Sequence, residues 1–180
     1  GYNMSNFGDH PTGFFGDSSF YNGVATQSLR FDDGSSAYLT RTPSSAGNKK
    51  TWTWSTWIKR TDLQSGSPYG GFGILFAGGD EQNMWAIPAN CTLIAYWINS
   101  EQLAVVGSGN TVLRLTSAKQ RDLSAWYNFV VTMDTTQGTA NDRTKVYING
   151  VQQTSFATTN NVDQNTDLNI FTCEIDQGIG

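Results

Sequence analysis

The sequence predicts an all-β fold, an antiparallel β-sandwich with an extended N-terminal arm. Three observations predict it. Segments rich in β-branched and aromatic residues recur at short, even spacing from residue 28 onward, as in sandwiches and barrels. Turn-forming runs such as Gly107-Ser108-Gly109-Asn110 and Asn149-Gly150 separate them, supplying the backbone angles that tight connections need. No segment sustains a helical apolar stripe: 117–124 carries Lys119-Gln120-Arg121-Asp122 without an apolar face and reads as a turn.

Residues 28–31 and 37–41 flank Asp32-Asp33-Gly34-Ser35-Ser36, which predicts a hairpin. After a loop rich in Pro, Ser, Gly and Asn, the segment 51–60 alternates. Trp52, Trp54, Thr56 and Ile58 share one face, read as core, and Thr53, Ser55, Trp57 and Lys59 share the other,. Strands are further predicted at 73–77, 84–87, 92–98, 102–106 and 111–116. The segment 126–134 sets Tyr127, Phe129, Val131 and Met133 opposite Asn128, Val130, Thr132 and Asp134. The run 144–148 leads into Asn149-Gly150 and then 151–156, and Asn-Gly between two such runs is the strongest short hairpin signal.

Residues 1–27 differ from the sandwich at 28–180. They combine five glycines with Tyr2, Phe7, Phe14, Phe15, Phe20 and Tyr21, and contain no Lys or Arg. At about 1.5–3 kcal/mol per fully buried aromatic, such an arm is expected to dock against its own domain or a neighbouring subunit, with Phe7, Phe14, Phe15 and Phe20 as contacts in a homo-oligomer. It shows no basic start of a signal peptide.

Composition excludes several functions. Eleven basic against fifteen acidic residues, for a net charge of −4, leave no basic stripe for nucleic acid. The longest apolar runs, such as Ile74-Leu75-Phe76-Ala77, are strand-sized, far short of the ~18 residues of a membrane helix. One histidine, His10, precludes a multi-histidine metal site within one chain. Cys91 and Cys173 fit either one disulfide or two thiols.

Four segments in order carry a resemblance: 28–39; a strand ending Trp57-Ile58-Lys59; a Trp-led strand, Trp126 to Asp134; and the hairpin Val146-Tyr147-Ile148-Asn149-Gly150. Together they resemble the laminin-G-type jelly roll of the concanavalin A-like lectin and glucanase domains over about residues 28–156. The wording of 20–31 is also similar to virion proteins of marine phages, which carry this module in fibres and on capsid surfaces. The resemblance implies a strand of the form Phe-x-Gly-x-Ile-Asp-Glu closing the sheet. Here Glu174-Ile175-Asp176 lacks the glycine, so the closing strand is altered, truncated or replaced by a donated segment.

Sandwich glucanases of this resemblance use Glu-x-Asp-x-x-Glu, whose paired carboxylates stand about 5–5.5 Å apart in retaining enzymes. The partial match beginning at Glu174 holds Ile179 in the last position, and Glu81 and Glu101 are the only other glutamates. No enzyme activity is expected. The resemblance also implies Ca²⁺ at the rim, where Asp32 and Asp134 at strand ends are candidate ligands. The alternative is that they build turns. Trp57, Tyr69, Trp85 and Trp97 are the aromatic candidates for carbohydrate binding. The expectation is a structural or adhesive module on a virion surface, a fibre or capsid decoration with other virion proteins as partners, presented to cell-surface glycans. The alternatives are an extracellular Ca²⁺-assisted lectin and, behind it, a glycoside hydrolase.

Overall fold

The computed structural model describes residues 28–31, 37, 39–41, 44–45, 47–60, 72–78, 93–97, 101–107, 111–168 and 177–179. Among these the chain forms strands β1 (Leu39–Arg41), β2 (Thr51–Ile58), β3 (Phe72–Gly78), β4 (Leu93–Trp97), β5 (Gln102–Gly107) and β6 (Thr111–Lys119). They continue with β7 (Tyr127–Asp134), β8 (Thr144–Ile148), β9 (Val151–Gln152), β10 (Phe156–Thr159) and β11 (Gln177–Ile179). A 3-10 turn, Ala140–Asp142, precedes β8. All pairings are antiparallel. One sheet has the order β1-β11-β3-β4-β5-β6-β10 and the other β2-β7-β8-β9.

Alternation in β2 and β7 falls as the sequence predicts. Trp52 and Trp54 are buried, Thr56 and Ile58 half-buried, and Thr51, Thr53, Ser55 and Trp57 exposed. In β7, Phe129, Val131 and Met133 are fully buried and Tyr127 is half-buried. These side chains join Val146 and Ile148 in one interior with Phe76, Ile94, Leu103, Val105 and Leu113 of the larger sheet. Trp54 and Phe76, from opposite layers, pack tilted with ring centroids 6.4 Å apart, in the range aromatic pairs prefer. The Trp52 indole N–H donates to the Leu168 carbonyl at 3.2 Å, so a buried polar tip is satisfied and the loop after β10 is fixed over the core.

The predicted Asn149-Gly150 hairpin joins β8 to β9, with φ of 50° and 78° at its two central residues. That is type I′ geometry, which puts both central residues in the left-handed region.

Three expectations require correction. Residues 28–31 form no strand and Leu29 is 73% exposed. β1 pairs instead with β11, so a partner from the far end of the chain displaces the local hairpin. β11 itself lies between β1 and β3 and begins at Gln177, directly after Glu174-Ile175-Asp176, which answers to the altered closing strand among the three alternatives. The strand predicted to end at 116 runs on through Lys119, held by Ser117 N–H to the Ser155 carbonyl and by pairing with Gln102. Its turn starts later, where the Asp122 carboxylate accepts from Ser124 N–H and Oγ. The predicted strand 151–156 is two strands: β9 finishes the small sheet, and β10 crosses to pair with β6. Phe156 drives that crossing by packing against the core. The predicted strand 84–87 lies outside the described residues.

Candidate functional site

Only one sheet presents a broad outer face among the described residues. β5, at the middle of the larger sheet, is buried at every position from Gln102 to Gly107, so both of its sides are covered. The small sheet differs, because its strands bury one side and leave the other exposed in β2 and half-buried in β7 and β8.

Register assembles the exposed side into rows, since residues directly opposite in a ladder share a face. Trp57 lies opposite Asn128. Ser55, Val130, Tyr147 and Gln152 form the next row, then Thr53, Thr132 and Lys145, and finally Thr51 and Asp134. Trp57 is 51% exposed, an apolar plane half in solvent at one corner.

Two carboxamides stand beside that plane. The Asn128 N–H donates to Asn149 Oδ1 at 2.8 Å and the Asn149 N–H donates to the Asn128 carbonyl at 2.8 Å. Asn128 Nδ2 donates to the Thr56 carbonyl at 3.2 Å. This clamp fixes both amides, while Asn128 Oδ1 and Asn149 Nδ2 have no partner among the described residues. They offer one acceptor and one two-hydrogen donor. Lys145 Nζ is paired with Asp142 Oδ1 at 3.2 Å, which holds charge to the far side of the face. An aromatic plane with fixed amides and hydroxyls at its border can stack on the C–H face of a pyranose and hydrogen-bond its hydroxyls.

Of the sequence-predicted carbohydrate residues, Trp57 stands on this face. Trp97 belongs to β4 of the other sheet, in register with Phe72 and Gln102, so its backbone lies in the opposite layer. Tyr69 and Trp85 lie outside the described residues, as do Asp32, Phe7, Phe14, Phe15, Phe20, His10, Cys91, Cys173, Glu81 and Glu174. Sequence reasoning missed Asn128, which register sets opposite Trp57, Asn149, which is clamped to Asn128, and Tyr147 and Gln152, which share the next row with Ser55. Alternation placed Asn128 away from the core, but only the strand register brings it beside Trp57.

Asp134 ends β7 and closes the next turn. Its Oδ1 accepts from Thr136 N–H at 3.0 Å, Thr136 Oγ1 at 2.6 Å and Thr51 Oγ1 at 3.5 Å, and its Oδ2 accepts from Gln137 Nε2 at 2.6 Å. These bonds, Thr136 foremost and Gln137 next, hold the carboxyl below its ordinary pKa. A calcium ion needs six to eight oxygens and would have to displace donors already seated there. Among the described residues no three His, Cys, Asp or Glu side chains gather. Asp122 is likewise lowered, chiefly by Ser124.

A carboxylate whose pKa is depressed on folding contributes stability above its unfolded pKa of about 3.9, and that contribution is lost as pH falls through the folded value. Acidification below about pH 4 is therefore expected to lower the melting temperature of the wild type. Asp134→Asn should melt lower at pH 7 and lose less on acidification, as scanning calorimetry across pH 2–7 would show. Equal pH slopes for variant and wild type would contradict the turn-closing role.

A family model of laminin-G type, described as the concanavalin A-like lectin/glucanases superfamily, matches residues 33–174. Comparison with curated proteins gives no match.

Proposed function

The chain belongs to the concanavalin A-like lectin/glucanase superfamily, and we propose that within it this protein is a non-enzymatic adhesive module that binds carbohydrate on the outer face of its small sheet. One observation carries the reading: Trp57 is half-exposed on this face, in register with Asn128, whose backbone is clamped in turn to Asn149. Burying an exposed indole against sugar C–H groups gains apolar contact, and the fixed amides choose among hydroxyl patterns.

Four of the six described carboxylates are engaged in ways that favour binding over cleavage. Glu101 is held by Arg121, Asp142 by Lys145, and Asp122 and Asp134 by turn donors. The last two are shifted down, whereas a glycosidase's general acid needs a raised pKa. The likeness of residues 20–31 to phage virion proteins favours display on a particle surface as its setting, in a fibre or capsid decoration that meets cell-surface glycans.

A glycan array followed by calorimetry on wild type and Trp57→Ala tests the site, with calcium and with a chelator. Loss of the indole is expected to weaken binding at least tenfold, about 1.4 kcal/mol, with the unfolding midpoint nearly unchanged. Absence of binding by the wild type would remove the reading, and equal binding by the variant would move the site off this face. Release of reducing sugar from a bound polysaccharide would restore the hydrolase.

A further inference from the structure

The outer face of the small sheet carries a second aromatic. Tyr147 lies one row from Trp57 and two strands over, with Val130 and Gln152 in register on its two sides. It points away from the core, because its chain neighbours Val146 and Ile148 are both buried,. Its row crosses all four strands. The row begins at Ser55, which is exposed, passes the half-buried Val130 and Tyr147, and ends at Gln152, which is exposed.

The hairpin fixes what stands beside that ring. The Gln153 N–H donates to the Val146 carbonyl at 2.8 Å, so the neighbouring pair, Tyr147 and Gln152, is a non-hydrogen-bonded one. In such pairs the Cα atoms stand about 4.5 Å apart and the side chains lie closest. A phenol, which donates one hydrogen bond and accepts others, is thereby set opposite a carboxamide. The next row repeats the arrangement, with Trp57 opposite Asn128.

We infer that Tyr147 and Gln152 form a second sugar subsite, and that the ligand is a neutral, extended chain of β-1,4-linked pyranoses rather than a single terminal sugar. The inference rests on the reading of Trp57 as the first platform, and it uses only the half of that indole in solvent. From the spacing of strands and the rise per residue, the two aromatic positions stand roughly 12 Å apart. That is the span of two linked pyranose rings. In an extended β-1,4 chain each ring is turned over relative to the last, so alternate rings show the same face along a straight line. One such ring stacks on each platform, whereas a coiled α-1,4 chain offers no such line. Every residue in the two rows is uncharged, and Lys145 in the row beyond is held by Asp142, which favours a neutral chain. Two weak subsites on one ligand reinforce each other, because binding at the first makes the second contact intramolecular.

Calorimetry with cello- and chito-oligosaccharides of increasing length tests this. Wild-type affinity is expected to rise on the order of tenfold from disaccharide to trisaccharide, the shortest chain with two rings showing the same face. Tyr147→Ala should erase that step and Tyr147→Phe should keep it. Tyr147→Thr, which retains a strand former, replaces the alanine variant if that one fails to fold. Malto-oligosaccharides, which coil, and β-1,4-linked mannuronate oligomers, which are charged, should bind more weakly than the neutral β-1,4 chains. Wild-type binding without a length step, a step that survives loss of the Tyr147 ring, or a preference for the coiled or charged chain would overturn the second subsite while leaving Trp57 as a single-sugar platform. Failure of the wild type to bind any glycan would overturn both readings.

Discussion

Phe129→Ala is expected to remove about 3–5 kcal/mol of folding free energy, from a total that for single domains is about 5–15 kcal/mol. Phe129 sits in β7, an interior strand, with Thr56 and Ile148 in register on either side. It is fully buried and its ring stacks on Tyr127 at a centroid distance of 6.0 Å. Both flanking strands are therefore held by backbone ladders and cannot collapse into the void, so the cavity term adds to the lost transfer energy. The melting temperature should fall by on the order of 10 °C, at about 2–4 °C per kcal/mol for a chain of this size. Phe129→Leu, which keeps most of the volume, should lose less than about 1.5 kcal/mol. Val130→Ala, one residue on and facing out, should lose little. Urea unfolding of the three variants separates these cases. Equal losses at 129 and 130 would mean that the two sides of β7 are not distinguished by burial, and the sandwich reading would fail with them.

That contrast between neighbouring residues also explains what could be read in the sequence. β2 and β7 were legible because each buries one side only, so period two maps directly onto core and solvent. The Asn149-Gly150 turn was legible because its chemistry is local. What needed the structure was long-range or parity-breaking. β1 pairs with β11 across most of the chain, and the Asp-Gly turn signal before it gave no hint of that partner. Val151 to Phe156 alternates plausibly as one strand, yet the chain leaves the small sheet after Gln152 and enters the large one at Phe156. Alternation carries no information about which layer a strand joins. Trp57 could be placed outside from its own strand, whereas Asn128 becomes its partner, and Asn149 and Tyr147 join the same face, only through register.

β6 holds the clearest case. Val105 pairs with Arg114 and Val106 with Val112, leaving Leu113 as an extra residue, a bulge. The bulge shifts parity, so Leu113 and Arg114 are both buried, one after the other. A regular strand would have put the arginine in solvent, which is where any reading of the sequence places it. Arg114 is only 2% exposed. Burial lowers its pKa, but a guanidinium stays charged at neutral pH, so this is a cation inside the protein.

Replacing Arg114 by alanine is expected to destabilise the fold about as much as truncating Phe129, roughly 3–5 kcal/mol. Its Nη1 donates to the carbonyls of Leu113 and Asn160, each at 2.8 Å, and its Nη2 donates to Asn161 Oδ1 at 2.8 Å. The guanidinium carbon lies 5.5 Å from the centroid of the Phe156 ring, within cation–π range. These contacts tie β6, β10 and the loop at 160–161 at a single point, and charge-assisted bonds are about twice as strong as neutral ones. Alanine deletes all of them, leaves carbonyls short of a donor and opens a void. Lysine keeps the charge but has no planar fork to reach three acceptors at once, so it should recover only part of the loss. Methionine fills the volume without the cost of burying a cation and should be the mildest of the three, at about 1–2 kcal/mol. The loop supplies a second readout. Asn160 N–H and Nδ2 also bond to β6, at the Leu113 and Val112 carbonyls, so amide exchange at 160–162 should quicken in the alanine and methionine variants and less in lysine. A ranking with alanine mildest, or exchange at the loop unchanged in all three, would mean that the charge is spent in solvent and that the bulge does not turn it inward.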